Sequence, residues 1–141
     1  MVQIPKEVQD FLREELLKLD KAVKLIYFTQ QFECPHCMYA REILDELRKF
    51  SDKIIFEVYD FQRDEEKVKQ YGIDKIPAIV IKDAKDYGIR YFGVPSGYEF
   101  NSLVEDIIDV SRGSTDLSEE TRKQIRSLTK PFHIQVFVSL T

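Results

Sequence analysis

Cysteine is almost missing from this chain: 141 residues hold two, Cys34 and Cys37, beside five glycines, five prolines, two methionines and no tryptophan. Two cysteines three positions apart make a poor staple, because in the chain-entropy account a disulfide stabilises most when it closes a long loop. With only two histidines, His36 and His133, the chain also lacks the four suitably spaced ligands that structural zinc takes within one chain, although zinc shared between two chains stays open. No uninterrupted apolar run approaches the roughly 20 residues of a membrane span. The N-terminal MVQIPKEVQDFLREE is charged where a secretory leader would be apolar. Neither sign of charge dominates: 21 basic and 25 acidic residues are interspersed, for a net charge of -4, with no polybasic stripe and no acidic tail. A soluble cytoplasmic protein that meets neither nucleic acid nor membrane is expected. Charged residues make up 33% of the chain, and that share, with little glycine or methionine, suits surface ion-pair networks at high temperature.

What is present is enough apolar residue, 43%, for one substantial core in a single-domain length. From Ile4 to Leu19 the apolar positions recur every three or four residues, an amphipathic helix with Pro5 in its first turn. Val23 to Thr29, VKLIYFT, is short, apolar and β-rich, which predicts a strand buried on both faces. The loop QQFE leads to CPHC, and Ala40, Ile43, Leu44, Leu47 and Phe50 mark the buried stripe of the helix that Pro35 opens. Lys53 to Asp60 predicts a second strand and Arg63 to Tyr71 a charged helix stopped by Gly72. Ala78 to Lys82 and Ile89 to Gly93 then form a hairpin across the turn DAKDYG. Ser96 and Glu99 have capping-box spacing before a helix with Phe100, Leu103, Val104, Ile107 and Ile108 on its stripe. RGSTD, from Arg112, is a linker; Ser118 to Leu128 predicts a shorter helix, and FHIQVFVSLT, from Phe132, a final β-rich run.

The CPHC pair falls where a strand gives way to a helix, with Cys34 at the helix N-terminus. Thiols so spaced close and open a small disulfide loop readily, so redox exchange is the leading chemistry. The order helix, β-α-β, α, β-β-α, with CPHC at a helix start and YGIDKIPAIVI before the hairpin, resembles the thioredoxin fold. DYGIRYFGVPSGYEF followed by EDIIDVSRG further resembles the N-terminal unit of the archaeal and thermophilic protein disulfide oxidoreductases, a glutaredoxin-like family carrying two thioredoxin units in tandem.

The resemblance implies an α/β protein, a central mixed four-stranded sheet flanked by helices, with an extra N-terminal helix and a C-terminal helix-strand extension. It implies a thioredoxin-like domain over residues 1–112, a linker and short helix over 113–131, and, in 132–141, the first strand of a second unit. On this reading the chain is a truncation of a tandem protein, and the orphan strand pairs with another chain or becomes disordered. The implied activity is thiol-disulfide oxidoreductase, with protein thiol or disulfide substrates, an electron-donor or electron-acceptor protein as partner, possible self-association through residues 132–141, and no cofactor or metal.

In exchange, a thiolate attacks a disulfide sulfur and a second thiol resolves the mixed disulfide. Cys34, the more exposed and nearer the helix N-terminus, is expected to attack, and the more buried Cys37 to resolve. Pro35 and His36 tune the pair: an imidazolium would favour the Cys34 thiolate, hence the reduced protein and a bias toward oxidation or isomerisation. The same CPHC occurs in bacterial periplasmic oxidants of the DsbA type. Pro77 resembles the cis-proline that the fold sets opposite its CxxC, and Ile76 before it would offer backbone groups to an extended substrate. Thioredoxins also bury a carboxylate six residues before the nucleophile. Phe28 stands there by count, and Glu57 is a conceivable substitute. Two rivals remain. A glutaredoxin-type reductase of glutathione mixed disulfides would use Pro77 with Gly93, Ser96 and Gly97, although that family's threonine-valine-proline is replaced by Ile76-Pro77. The other is an inactive or binding fragment of a tandem oxidoreductase.

Overall fold

The computed structural model describes residues 3–138 and follows the expected order as far as the last helix. Helix α1 spans Lys6–Leu16, strand β1 Val23–Thr29, helix α2 Pro35–Leu47, β2 Ile54–Asp60 and α3 Glu65–Tyr71. Strands β3, Ala78–Lys82, and β4, Asp86–Phe92, precede helices α4, Tyr98–Arg112, and α5, Glu119–Arg126. The strands form one sheet in the order β2-β1-β3-β4. β1 runs parallel to β2 and antiparallel to β3, and β3 is antiparallel to β4, so the sheet is mixed.

Side chains alternate across a strand, and β1 shows how that period builds two cores. Val23, Leu25 and Tyr27 pack in the larger cluster, with residues from α1, α2 and α4. Ile26 and Phe28 point the other way, into a smaller cluster with Tyr71 of α3 and with Ile73, Ala78 and Val80. The molecule is thus a sheet with three helices on one face and one on the other. Burying both faces explains why β1 reads as a continuous apolar run rather than an alternation. Ser111 of α4, fully buried, ties this layer to the turn before β1: the Lys21 N–H donates to its Oγ (3.0 Å), which donates to the Lys21 carbonyl (2.6 Å).

Several boundaries differ from the sequence pattern. β4 begins at Asp86 rather than Ile89, because the turn is confined to residues 83–85, where the Asp83 carboxylate accepts from the Lys85 N–H (2.7 Å). The Ser96–Glu99 capping box does not form. Gly97, at φ 61° and ψ -133°, is the N-cap of α4 and makes no side-chain cap, a conformation open to a residue without Cβ. α5 starts as expected, with Ser118 accepting from the Thr121 N–H (3.2 Å). Residues 131–138 form no strand, and Phe132, Ile134, Val136, Phe137 and Val138 lie exposed. A β-rich pattern creates a strand only where a neighbouring backbone takes up its N–H and C=O groups, and among the described residues none does so here. Residues 139–141 of that expected run lie outside the described residues.

Candidate functional site

The site forms where β1 leaves the sheet. From Thr29 the chain passes through residues 30–33, where Gln30 Nε2 donates to the Phe32 carbonyl (2.8 Å), and enters α2. Glu33, immediately before Cys34, has φ 59°, in the left-handed region that non-glycine residues seldom adopt. Cys34 is the N-cap, with φ -134° and ψ 77°, and Pro35 takes the first helical position, where its missing N–H costs nothing. The Cys37 N–H donates to the Cys34 carbonyl (3.1 Å), closing the first turn.

Cys34 and Cys37 are joined by a disulfide, with S–S 2.00 Å and Cα–Cα 5.3 Å. Their surroundings differ: Cys34 is half-buried, whereas Cys37 is fully enclosed. The first turn of α2 contains no acidic side chain, and His36 stands exposed beside the pair. The positive end of the helix dipole therefore faces Cys34 without an opposing carboxylate from within the turn.

Pro77 follows a cis peptide bond from Ile76 and is buried, while Ile76 is half-buried. Ala78 pairs with Phe28, so Pro77 flanks the sheet end from which the chain departs toward Cys34. Its carbonyl accepts from the Gly93 N–H (2.9 Å). The topology thus brings Ile76, Pro77 and the CPHC turn to one end of the sheet.

Two positions singled out by sequence pattern change meaning. Phe28 packs in the α3-side cluster with Tyr59 and Tyr71, on the face away from α2. Glu57, paired in register with Ile26, shares that side; it accepts from Lys24 Nζ (2.9 Å) and the Tyr59 hydroxyl (3.1 Å), and the Lys24 bond above all holds its carboxyl below the usual range. Being across the sheet and committed to Lys24, Glu57 is no proton acceptor for Cys37. The residue that does reach Cys37 is one that sequence reasoning missed. Tyr27, fully buried, donates its hydroxyl hydrogen to the Cys37 carbonyl (2.6 Å). Burial pushes its phenol up to about 12, against the opposing influence of the Thr29 side chain and Arg41. The alternation of β1 puts Tyr27 opposite in direction to Phe28; that parity was the available signal.

A cavity of about 580 Å³ lies between α1, the middle of α2 and the loop before α4. Its lining is largely apolar, with Glu7 the one ionisable carboxylate and no lysine or arginine among the described residues. Among the described residues no group of three or more His, Cys, Asp or Glu side chains is arranged to hold a metal ion, and no helix is long and apolar enough to cross a membrane.

No family model matches the chain. A curated relative from Methanothermobacter marburgensis, named "Probable Thioredoxin", is 38% identical over 88 residues, covering 62% of this chain and 98% of the relative. The solved N-terminal domain of the alkylhydroperoxide reductase AhpF from Enterococcus faecalis superposes with a TM-score of 0.82 at 30% identity, over 91% of this chain and 62% of that one. A protein disulfide oxidoreductase from Aeropyrum pernix has the same fold, with a TM-score of 0.77 at 21% identity over 91% of this chain and 56% of its own. The chain therefore spans less than two thirds of either solved neighbour.

Proposed function

The chain belongs to the thioredoxin family and is a thiol-disulfide oxidoreductase; we propose that it exchanges disulfides with protein substrates, Cys34 attacking and Cys37 resolving. The observation that carries this reading is the asymmetry of the bonded pair, one sulfur-bearing residue half-exposed at a helix N-terminus and the other enclosed one turn on. In the reducing direction the Cys34 thiolate attacks a substrate disulfide, one substrate sulfur leaves as a thiolate, and a mixed disulfide remains. The Cys37 thiolate then attacks the Cys34 Sγ, the intramolecular bond forms, and the second substrate sulfur departs. Two electrons pass from the protein dithiol to the substrate. Running backward, the same steps oxidise a substrate dithiol.

An oxidising bias forms part of the proposal. The helix N-terminus favours a Cys34 thiolate, as an imidazolium at His36 would, and stabilising the reduced form raises the reduction potential. Ile76 and Pro77, at the same end of the sheet, would receive an extended substrate backbone. Protein substrates suit the surroundings better than glutathione, since among the described residues no lysine or arginine lines the cavity at Ser96 and Gly97 to receive two carboxylates. Exposed Phe32 and Met38 beside the turn favour an apolar polypeptide instead. An electron-donor or electron-acceptor protein and a cytoplasmic setting complete the reading.

Insulin reduction with dithiothreitol as donor tests the roles. Cys34→Ser is expected to abolish turnover, and reduced Cys37→Ser, mixed with insulin after the dithiothreitol is removed, to accumulate a covalent adduct on Cys34, detected by mass. Full activity in Cys34→Ser would refute the assignment. Equilibration with glutathione buffers should give a potential above thioredoxin's ~-270 mV; a value at or below it removes the oxidising bias.

A further inference from the structure

Resting on the reading of Cys37 as the resolving thiol, we propose that Tyr27 is a positioning residue for exchange, its hydroxyl holding the turn that carries Cys37 in place when the disulfide is open. The geometry is specific. Tyr27 lies on a central strand, with its ring fully enclosed and packed on Phe56 at 6.2 Å between centroids. Its oxygen approaches the Cys37 carbonyl to 2.6 Å across ten residues of sequence. A carbonyl inside a helix already accepts from the N–H four residues on, so this second donor is not needed to satisfy it. What it adds is a link between the sheet and the first turn of α2. Packing around the enclosed Cys37 and its N–H bond to the Cys34 carbonyl act on the same turn, while the Cys34 N-cap adds no side-chain cap and the preceding loop is exposed.

Two restraints that order the same turn reinforce each other, since each lowers the conformational cost of the other. The disulfide is one restraint and the phenol bond the second. With the disulfide open, the phenol bond keeps Cys37 near the Cys34 sulfur and raises its effective concentration for the resolving attack. With it closed, the phenol bond contributes to the oxidised form more fully than to the dithiol, whose turn has more freedom to lose. Removing the hydroxyl should therefore slow resolution and make the disulfide easier to reduce. A purely structural tyrosine would weaken both redox forms equally and change neither quantity.

Tyr27→Phe deletes only the oxygen. The reduced protein, mixed with one equivalent of an aromatic disulfide that releases a coloured thiolate, gives two steps of colour: attack by Cys34, then resolution by Cys37. In the variant the first step is expected to keep its wild-type rate and the second to slow about threefold to fivefold, the range one hydrogen bond supports. The equilibrium constant with glutathione should shift by a similar factor toward the dithiol; fivefold corresponds to about 20 mV. An unchanged second step and equilibrium constant, with equal loss of thermal stability in both redox forms, overturns the proposal while leaving the exchange roles intact. A wild type that shows no second step overturns the exchange reading, and the proposal with it. Should the variant not fold, the wild-type Tyr27 hydroxyl proton decides: slow solvent exchange by NMR in the reduced protein supports the tether, and rapid exchange on reduction overturns it.

Discussion

Glu33 turns the chain into the redox helix, and its φ of 59° is the one left-handed conformation at a non-glycine residue among those described. That region costs an ordinary L-residue roughly 1–2 kcal/mol and is tolerated best by glycine and asparagine. Placed directly before Cys34, the kink leads into the half-buried N-cap, and Pro35 and Cys37 follow in the helix. Glu33→Asn should therefore leave the stability of the oxidised protein unchanged or slightly higher. Glu33→Val, whose branched Cβ is badly accommodated at positive φ, should lose about 1–2 kcal/mol. Urea unfolding of the three proteins measures the difference. Equal tolerance of valine would mean that the loop adopts another path and that Glu33 is not the hinge.

At the scale of elements, α4 and β4 carry carboxylates with opposite responses to pH. Asp86, at the start of β4, is held by the Arg90 guanidinium at 2.7 Å and 2.9 Å, which lowers it from 3.8 to about 2. Its folded value lies below the unfolded one, so its contribution to stability is present above 3.8 and disappears as pH falls through about 2. Asp109 on α4 behaves the other way. Burial, followed by repulsion from Asp116 and Asp106, raises it from 3.8, with Arg112 offsetting part of the effect. A carboxyl with a raised folded value weakens the fold as pH climbs through 3.8 and beyond, since the folded state then ionises less readily than the unfolded chain. Asp109→Asn is therefore expected to raise the melting temperature at about pH 7 and to leave it unchanged at about pH 3, as followed by circular dichroism. An effect of equal size at both pH values would assign the change to packing rather than charge.

Across the whole molecule, the layered core ends with α4, and the C-terminal segment beyond it packs little. α5 buries none of its residues, and the apolar side chains from Phe132 to Val138 stand in solvent. A run with that pattern and free backbone groups is a template for strand pairing. The full chain is accordingly expected to self-associate with rising concentration, as read by sedimentation velocity. Phe137→Asp should shift it toward monomer without altering the Cys34–Cys37 exchange. A wild-type chain that stays monomeric at every concentration would remove residues 132–141 as a self-association segment.

The order of the elements, the two-sided burial of β1 and the position of Cys34 at a helix start were legible in the sequence, because hydrophobic period, β propensity and proline geometry act over a few neighbouring residues. Counting six residues back from Cys34 led to Phe28, and strand pattern alone made Glu57 a conceivable proton acceptor. Both side chains lie on the α3 side of the sheet. Alternation along β1 shows that Tyr27 and Phe28 point apart, but it carries no information about which face α2 covers. That choice depends on how helices distant in sequence pack on the sheet, as does the placing of Pro77 and the CPHC turn at one end through the Phe28–Ala78 pairing. Likewise, the β pattern after residue 131 encodes a capacity to pair, while a strand needs a partner backbone to exist. A redox pair at the mouth of a helix is thus written into local order along the chain. The meeting of a buried phenol from β1 with Cys37 is not, because that contact comes from the packing of α2 on the sheet, which local patterning does not encode.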